Sequence, residues 1–228
     1  MNETETADTR FEEVPMEKKI LIHGSGHKAA SWNEVVSHLE NSEDILCPEL
    51  ADLLDGREAS YPNLYASFIQ YCDEIEGSVH LCGLSLGGIL ALNYAVDFPE
   101  KVKTLVLVGT PHKVPKVMFQ IQNVIFRLLP KSVFETMAFD KKNTFALGCS
   151  MKDLDFRGRV EKITCPTLIL CGEKDRANRK SAYYLSQNIK GAELRILQHT
   201  GHVVNEENPR ALAKQLTEFY ALHTERLG

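Results

Sequence analysis

Short apolar runs alternate with stretches of helical periodicity along most of this chain, and that alternation restricts the fold more than any other feature. "KKILIHG" has the pattern of a buried strand, a short apolar run ended by glycine. "DILCPEL", "SVHLCG", "VKTLVLVG", "PTLILCG" and "AELRIL" supply five more. Among the intervening stretches, "SWNEVVSHLE" carries Trp32, Val35, Val36 and Leu39 at helical spacing. "YPNLYASFIQYCDEIEG" puts Leu64, Phe68, Ile69 and Cys72 on one helical face and stops at glycine. "GGILALNYAVDFPE", "RKSAYYLSQNI" and the closing "PRALAKQLTEFYALHTERL" complete the helices. Strands alternating with helices build βαβ units, so the expected class is α/β, a mainly parallel sheet with helices on both faces. The nearly continuous apolar character of "TLVLVG" and "TLILCG" belongs to strands covered on both sides. No internal repeat or low-complexity tract interrupts the pattern.

A chain of 228 residues suits one domain with a substantial core, with room for a small insertion. The rhythm breaks between "GTP" and "CPT", where helical segments replace the next strand. Val114, Val117, Met118, Ile121, Val124, Ile125 and Leu128 recur there at spacings of three and four, a broad apolar stripe. The stretch is long for a simple crossover. It is therefore read as a cap over the carboxyl edge of the sheet, where open α/β folds bind ligands. An ordinary core helix is the alternative. The expected division is a tail at 1–16, a core at 17–111 and 157–228, and a helical cap at 112–156.

Composition narrows the partners. A formal net charge of -5 without a basic cluster favours neither nucleic acid nor an anionic membrane surface, so the expected partner is a small molecule. The acidic, polar start "MNETETADTRFEEVP" lacks a secretory pattern, and no apolar run approaches the ~18 residues of a membrane helix. The six cysteines, at 47, 72, 82, 149, 165 and 171, contain no CxxC pair. Cys82, Cys165 and Cys171 fall in or beside strand-like runs, where a free thiol behaves as a small hydrophobe. The expectation is a cytoplasmic protein with reduced thiols and neither a metal nor a cofactor.

Between the third strand and the helix after it, Gly83-Leu84-Ser85-Leu86-Gly87 matches GxSxG in the strand–turn–helix context that gives this motif meaning. Glycines there let neighbouring backbone pass close by, so that a strained turn can project one hydroxyl from the sheet edge. The helix that follows turns its positive end toward developing negative charge. Tight helix–strand packing alone is the competing explanation for the glycines. A serine hydroxyl needs a base, and the base needs an orienting group. In this fold class the chain order is serine, acid, histidine. "LILCGEKD" offers Asp175 after the fifth strand, and "RILQHTGHVVNEENP" offers His202 after the sixth. Both sit on loops at the same sheet edge as Ser85.

On "HGSG", "GLSLGG", "DFPEKVKTLVLVGTP", "CGEKD" and "TGHVVNEENP", the chain resembles the α/β-hydrolase superfamily, specifically its small capped members, from about Lys18 to the C-terminus. The resemblance implies Ser85 as nucleophile, His202 as general base and then acid, and Asp175 as the carboxylate that orients His202. It places the backbone N–H groups of Ser25 and Leu86 in an oxyanion hole. Two strands that commonly precede "HG" are missing or compressed into the tail, so the sheet should be reduced at one edge. His199 and Glu173 are rivals for the histidine and acid roles; the family pattern favours His202, directly after glycine, and Asp175. His23 is expected to support the oxyanion loop.

The implied chemistry is acyl transfer from a small carboxylic ester or thioester to water through an acyl-enzyme. Lyase, C–C hydrolase or perhydrolase reactions are alternatives on the same scaffold. Gly24, Val117, Met118, Ile121 and Val203 form the expected substrate pocket, the methionine-bearing stripe making an adaptable apolar surface. A rival of another class is NAD binding, because "GSGHKA" (Gly24 to Ala29) matches GxGxxA after a strand, with Glu49 as the ribose-binding acid. It competes with a complete set of serine, acid and histidine.

Overall fold

The computed structural model describes residues 17–114, 134 and 137–223. Six strands, β1 (Lys19–Ile22), β2 (Ile45–Leu46), β3 (Val79–Leu84), β4 (Val102–Val108), β5 (Thr167–Gly172) and β6 (Glu193–Leu197), form one sheet in the order β2-β1-β3-β4-β5-β6. Every pairing is parallel. β3 and β5 are buried at each position, and β4 at all but Lys103, as strands covered on both faces must be. β6, at the edge, is only partly buried.

Eight α-helices cover the sheet among the described residues: α1 (Asn33–Val36), α2 (Leu50–Leu53), α3 (Tyr61–Asp73), α4 (Leu86–Asp97), α5 (Lys141–Ser150), α6 (Arg179–Asn188), α7 (Val204–Glu207) and α8 (Pro209–His223). Period-two alternation divides the strand side chains between two hydrophobic layers. Leu105 and Leu107 of β4 join Leu64 and Phe68 of α3 and Leu90 of α4 on one face. Val106 and Val108 join Trp32 with Leu212, Leu216 and Phe219 of α8 on the other. α4 is buried from Leu86 to Val96, a helix enclosed on all sides.

Two elements are shorter than their sequence patterns. β2 stops at Leu46, two residues before Pro48, which has no N–H for the ladder. The helix expected in "SWNEVVSHLE" is a 3-10 turn, Ala29–Trp32, followed by the single turn of α1. β-branched Val35 and Val36 weaken that helix, and the Ser37 hydroxyl donates back to the Glu34 carbonyl at 2.7 Å just past its end.

The stretch after β4 and the stretch before β5 are joined by backbone hydrogen bonds. The Val114 N–H donates to the Leu154 carbonyl at 3.0 Å, and the Phe156 N–H to the His112 carbonyl at 2.9 Å, around an antiparallel bridge between Lys113 and Asp155. Asp140 caps α5 by accepting from the Asn143 N–H at 2.7 Å. The other end is fastened to α3, where the Ser150 hydroxyl accepts from the Tyr61 N–H at 2.7 Å. Val117, Met118, Ile121, Val124, Ile125 and Leu128 lie outside the described residues. No described helix is long and apolar enough to cross a membrane.

Candidate active site

Every residue from Val79 to Val96 is buried except Ser85. Ser85 occupies φ 54° and ψ -109°, a conformation that L side chains rarely adopt, between the last residue of β3 and the first of α4. Its N–H donates to the Val108 carbonyl at 2.9 Å, and the Ile89 N–H donates to its carbonyl at 2.9 Å, so strand and helix both grip the turn. The flanking glycines have a steric cause. A Cβ on Gly83 would come within 2.3 Å of the Gly87 backbone, and one on Gly87 within 2.2 Å of the Ile22 carbonyl oxygen. Only without side chains can α4 rest so close to β3 and β1 while the chain reverses sharply around Ser85. Leu86 is the first residue of α4, where N–H groups have no intrahelical acceptor and the helix end is positive.

β5 and β6 deliver the other two groups. Asp175, 5% exposed, follows β5, and its Oδ2 lies 2.7 Å from Nδ1 of His202, on the loop after β6. Asn178 donates to the same carboxylate through its amide, at 2.9 and 3.1 Å, and through its N–H at 3.2 Å. Burial alone would raise the Asp175 carboxyl, but the hydrogen bonds from His202 and Asn178 outweigh it and hold the group below its ordinary value. A carboxylate bound in this way keeps the His202 proton on Nδ1 and leaves Nε2 as a lone pair able to accept one. Glu207 clamps the histidine loop from the other side, accepting from the Gly201 N–H at 2.6 Å and the Val203 N–H at 3.1 Å.

Gly109 is where these elements meet. It follows Val108, the acceptor for the Ser85 N–H, and takes φ +53°. A Cβ there would lie 2.9 Å from His202 Nδ1 and 3.2 Å from Asp175 Oδ2. Opposite, Gly24 is buried against the serine, with its missing Cβ position 3.5 Å from Ser85 Cβ. Ser25 occupies the turn closed by the His27 N–H on the Gly24 carbonyl at 3.1 Å.

The rival residues sit elsewhere. The His199 side chain is 91% exposed, and Glu173 accepts from the His199 N–H at 2.8 Å, tying down the loop that carries it. His23 is fully buried and engages backbone with both ring nitrogens, Nδ1 donating to the Gly24 carbonyl at 2.8 Å and Nε2 accepting from the Leu50 N–H at 3.1 Å. Glu49 accepts from the Ala29 N–H at 3.0 Å, which pins the far end of "GSGHKA". That loop runs into a 3-10 turn and the four residues of α1 rather than a long helix that could hold a pyrophosphate at its N-terminus. Gly24 and Val203 of the expected pocket lie beside Ser85 and His202; Val117, Met118 and Ile121 are outside the described residues.

Asn178, Glu207 and Gly109 were not singled out by the sequence. Asn178 carried a local signal, three residues after an aspartate and directly before a helix.

The sequence profile of the Alpha/beta hydrolase family matches residues 20–215. Monoacylglycerol lipase ABHD6 of Homo sapiens is 21% identical over 251 residues, covering 89% of this chain and 74% of that protein. Among solved structures, the esterase EaEST from Exiguobacterium antarcticum superposes with a TM-score of 0.74 at 16% identity, covering 91% of this chain and 92% of its own. NosK from Streptomyces actuosus superposes with a TM-score of 0.75 at 19% identity, covering 92% and 99%.

Proposed function

The chain belongs to the Alpha/beta hydrolase family, and from that premise we propose that it hydrolyses a small carboxylic ester or thioester through Ser85, His202 and Asp175. One observation carries the reading: the single residue left unburied between Val79 and Val96 is a serine, held at positive φ. Its N–H anchor adjoins the glycine against which His202 and Asp175 pack.

In the proposed mechanism the Ser85 hydroxyl attacks the carbonyl carbon while His202 Nε2 takes its proton. The carbonyl oxygen becomes an oxyanion and accepts from the N–H groups of Leu86 and Ser25; one such donor is worth about 2.7–4 kcal/mol in the transition state. Asp175 keeps the imidazole in the required tautomer and stabilises it once charged. Collapse of the tetrahedral intermediate expels the alcohol or thiol, which receives its proton from His202. Water, deprotonated by the same nitrogen, then attacks the acyl-enzyme and releases the acid with Ser85 restored. The 112–156 segment would cap this edge, and the pairing of its two ends through the Phe156 N–H and the His112 carbonyl supports that placement. The names of two relatives, a lipase and an esterase, support the ester reading.

The test is Ser85→Ala against p-nitrophenyl butyrate, with a fluorophosphonate probe read by peptide mapping. Turnover should fall by at least a thousandfold with the circular dichroism unchanged, and the wild-type label should map to Ser85. Retained turnover, or a label on Ser25, rejects the assignment.

A further inference from the structure

The oxyanion turn carries a second histidine that the proposed mechanism leaves idle. His27 closes the turn through its N–H to the Gly24 carbonyl. Its Nδ1 lies 3.3 Å from the position a Gly24 Cβ would occupy, and Ser85 Cβ lies 3.5 Å from that same point. The imidazole and the serine thus flank one glycine. Nδ1 is sealed from solvent and has no hydrogen-bond partner among the described residues. An orphaned buried N–H is costlier than an unfilled lone pair, so the ring keeps its proton on Nε2, the nitrogen free to meet a ligand. The side chain as a whole is only half-buried.

Two neighbours bear on what that N–H can bind. His202, the group that would protonate the leaving alcohol, and the Glu206 carboxylate of α7 are both near enough for their charges to act on His27. Burial lowers the His27 pKa, Glu206 opposes the shift, and His23 and His202 add to it, leaving a neutral donor. A carboxylate beside a neutral donor disfavours an anionic ligand and accepts an uncharged oxygen.

Building on the ester-hydrolase reading, we propose that His27 is a specificity-determining residue whose Nε2–H binds a neutral oxygen, such as a hydroxyl, in the alcohol part of the substrate. The alcohol side is chosen because His202, which would protonate the leaving alcohol, is near enough for its charge to act on His27. Hydroxylated or ether-bearing alcohols are then preferred over plain alkyl ones of equal size.

A matched pair tests this: 2-hydroxyethyl butyrate and propyl butyrate differ by one hydroxyl in place of a methyl. The wild-type enzyme should favour the first by about tenfold in kcat/KM, the worth of one neutral hydrogen bond. His27→Phe should bring the ratio to within about twofold of unity, and His27→Gln, which retains an N–H donor, should keep most of the preference. Fluorophosphonate labelling of Ser85 reports whether each variant has an assembled site; if His27→Phe does not label, His27→Leu reads the same ratio. A wild-type enzyme that labels yet shows no preference, or a His27→Phe or His27→Leu enzyme that keeps it, overturns the inference alone. A wild-type protein that neither labels nor turns over either ester overturns the hydrolase reading and this inference with it.

Discussion

Ser85, His202 and Asp175 could be proposed from the sequence because each follows an apolar run, and the order of those runs fixes the edge they share. Gly109 could not, because its constraint comes from side chains more than sixty residues further along the chain. A Cβ there would meet both His202 and Asp175, and its φ of +53° already disfavours any L side chain. Gly109→Ala should therefore cost about 1–2 kcal/mol in urea unfolding from backbone strain. It should cost proportionately more in kcat, at least a hundredfold, because the displaced imidazole is the proposed base. Wild-type turnover in this variant would mean that the His202–Asp175 pair tolerates displacement and is not the working base. Asp175 has its own signature. Its folded carboxyl titrates below the unfolded value, so its contribution to stability is complete above the unfolded value near 3.9 and is lost as pH falls through the folded one. Asp175→Asn should flatten the fall of unfolding free energy between about pH 5 and 3, measured by urea titration at each pH. An unchanged slope would show that the carboxylate is not held by His202 and Asn178.

Among the elements, the long strands are legible because both of their faces are buried and their apolar runs are unbroken. β2 and α1 are less so, because Pro48 and the Val35–Val36–Ser37 sequence act locally against patterns that extend past them. Cysteine placement follows the same logic. Cys82 and Cys171 lie within β3 and β5, Cys72 lies on the inner face of α3, and Cys165 lies just before β5, all buried. Burial pushes the Cys165 and Cys171 thiols up to about 11 and the Cys72 thiol to about 12, and raises Cys82 further still. Cys47, half-buried, is pushed to about 11 by the same cause. Cys149 on α5 is exposed. Since the thiolate is the nucleophile, iodoacetamide at pH 8 should alkylate Cys149 first, and the other five only on unfolding. Peptide mapping of a time course checks it. Early modification of Cys72 or Cys82 would show that α3 or β3 opens far more readily than its burial implies.

For the molecule as a whole, the sheet is shared property: β4 sends Leu105 and Leu107 into one hydrophobic layer and Val106 and Val108 into the other. Neither layer can lose its packing without loosening strands that the other needs, so the two should unfold together. Leu90 of α4 and Leu216 of α8 are both fully buried, on opposite faces. Truncating either to alanine should cost about 2–5 kcal/mol. With the sheet between them and no shared cavity, the double variant should cost the sum to within about 0.5 kcal/mol. The only tryptophan, Trp32, is buried in the layer that contains Leu216 and so reports that face alone, whereas far-ultraviolet circular dichroism reports the whole backbone. In Leu90→Ala the fluorescence and dichroism transitions should move together to lower urea, even though the cavity lies across the sheet from the reporter. A Trp32 transition that stayed at the wild-type midpoint while the dichroism shifted would divide the molecule into two independently stable layers. It would also remove the mechanical reason for placing the serine and its histidine on loops fed by one sheet.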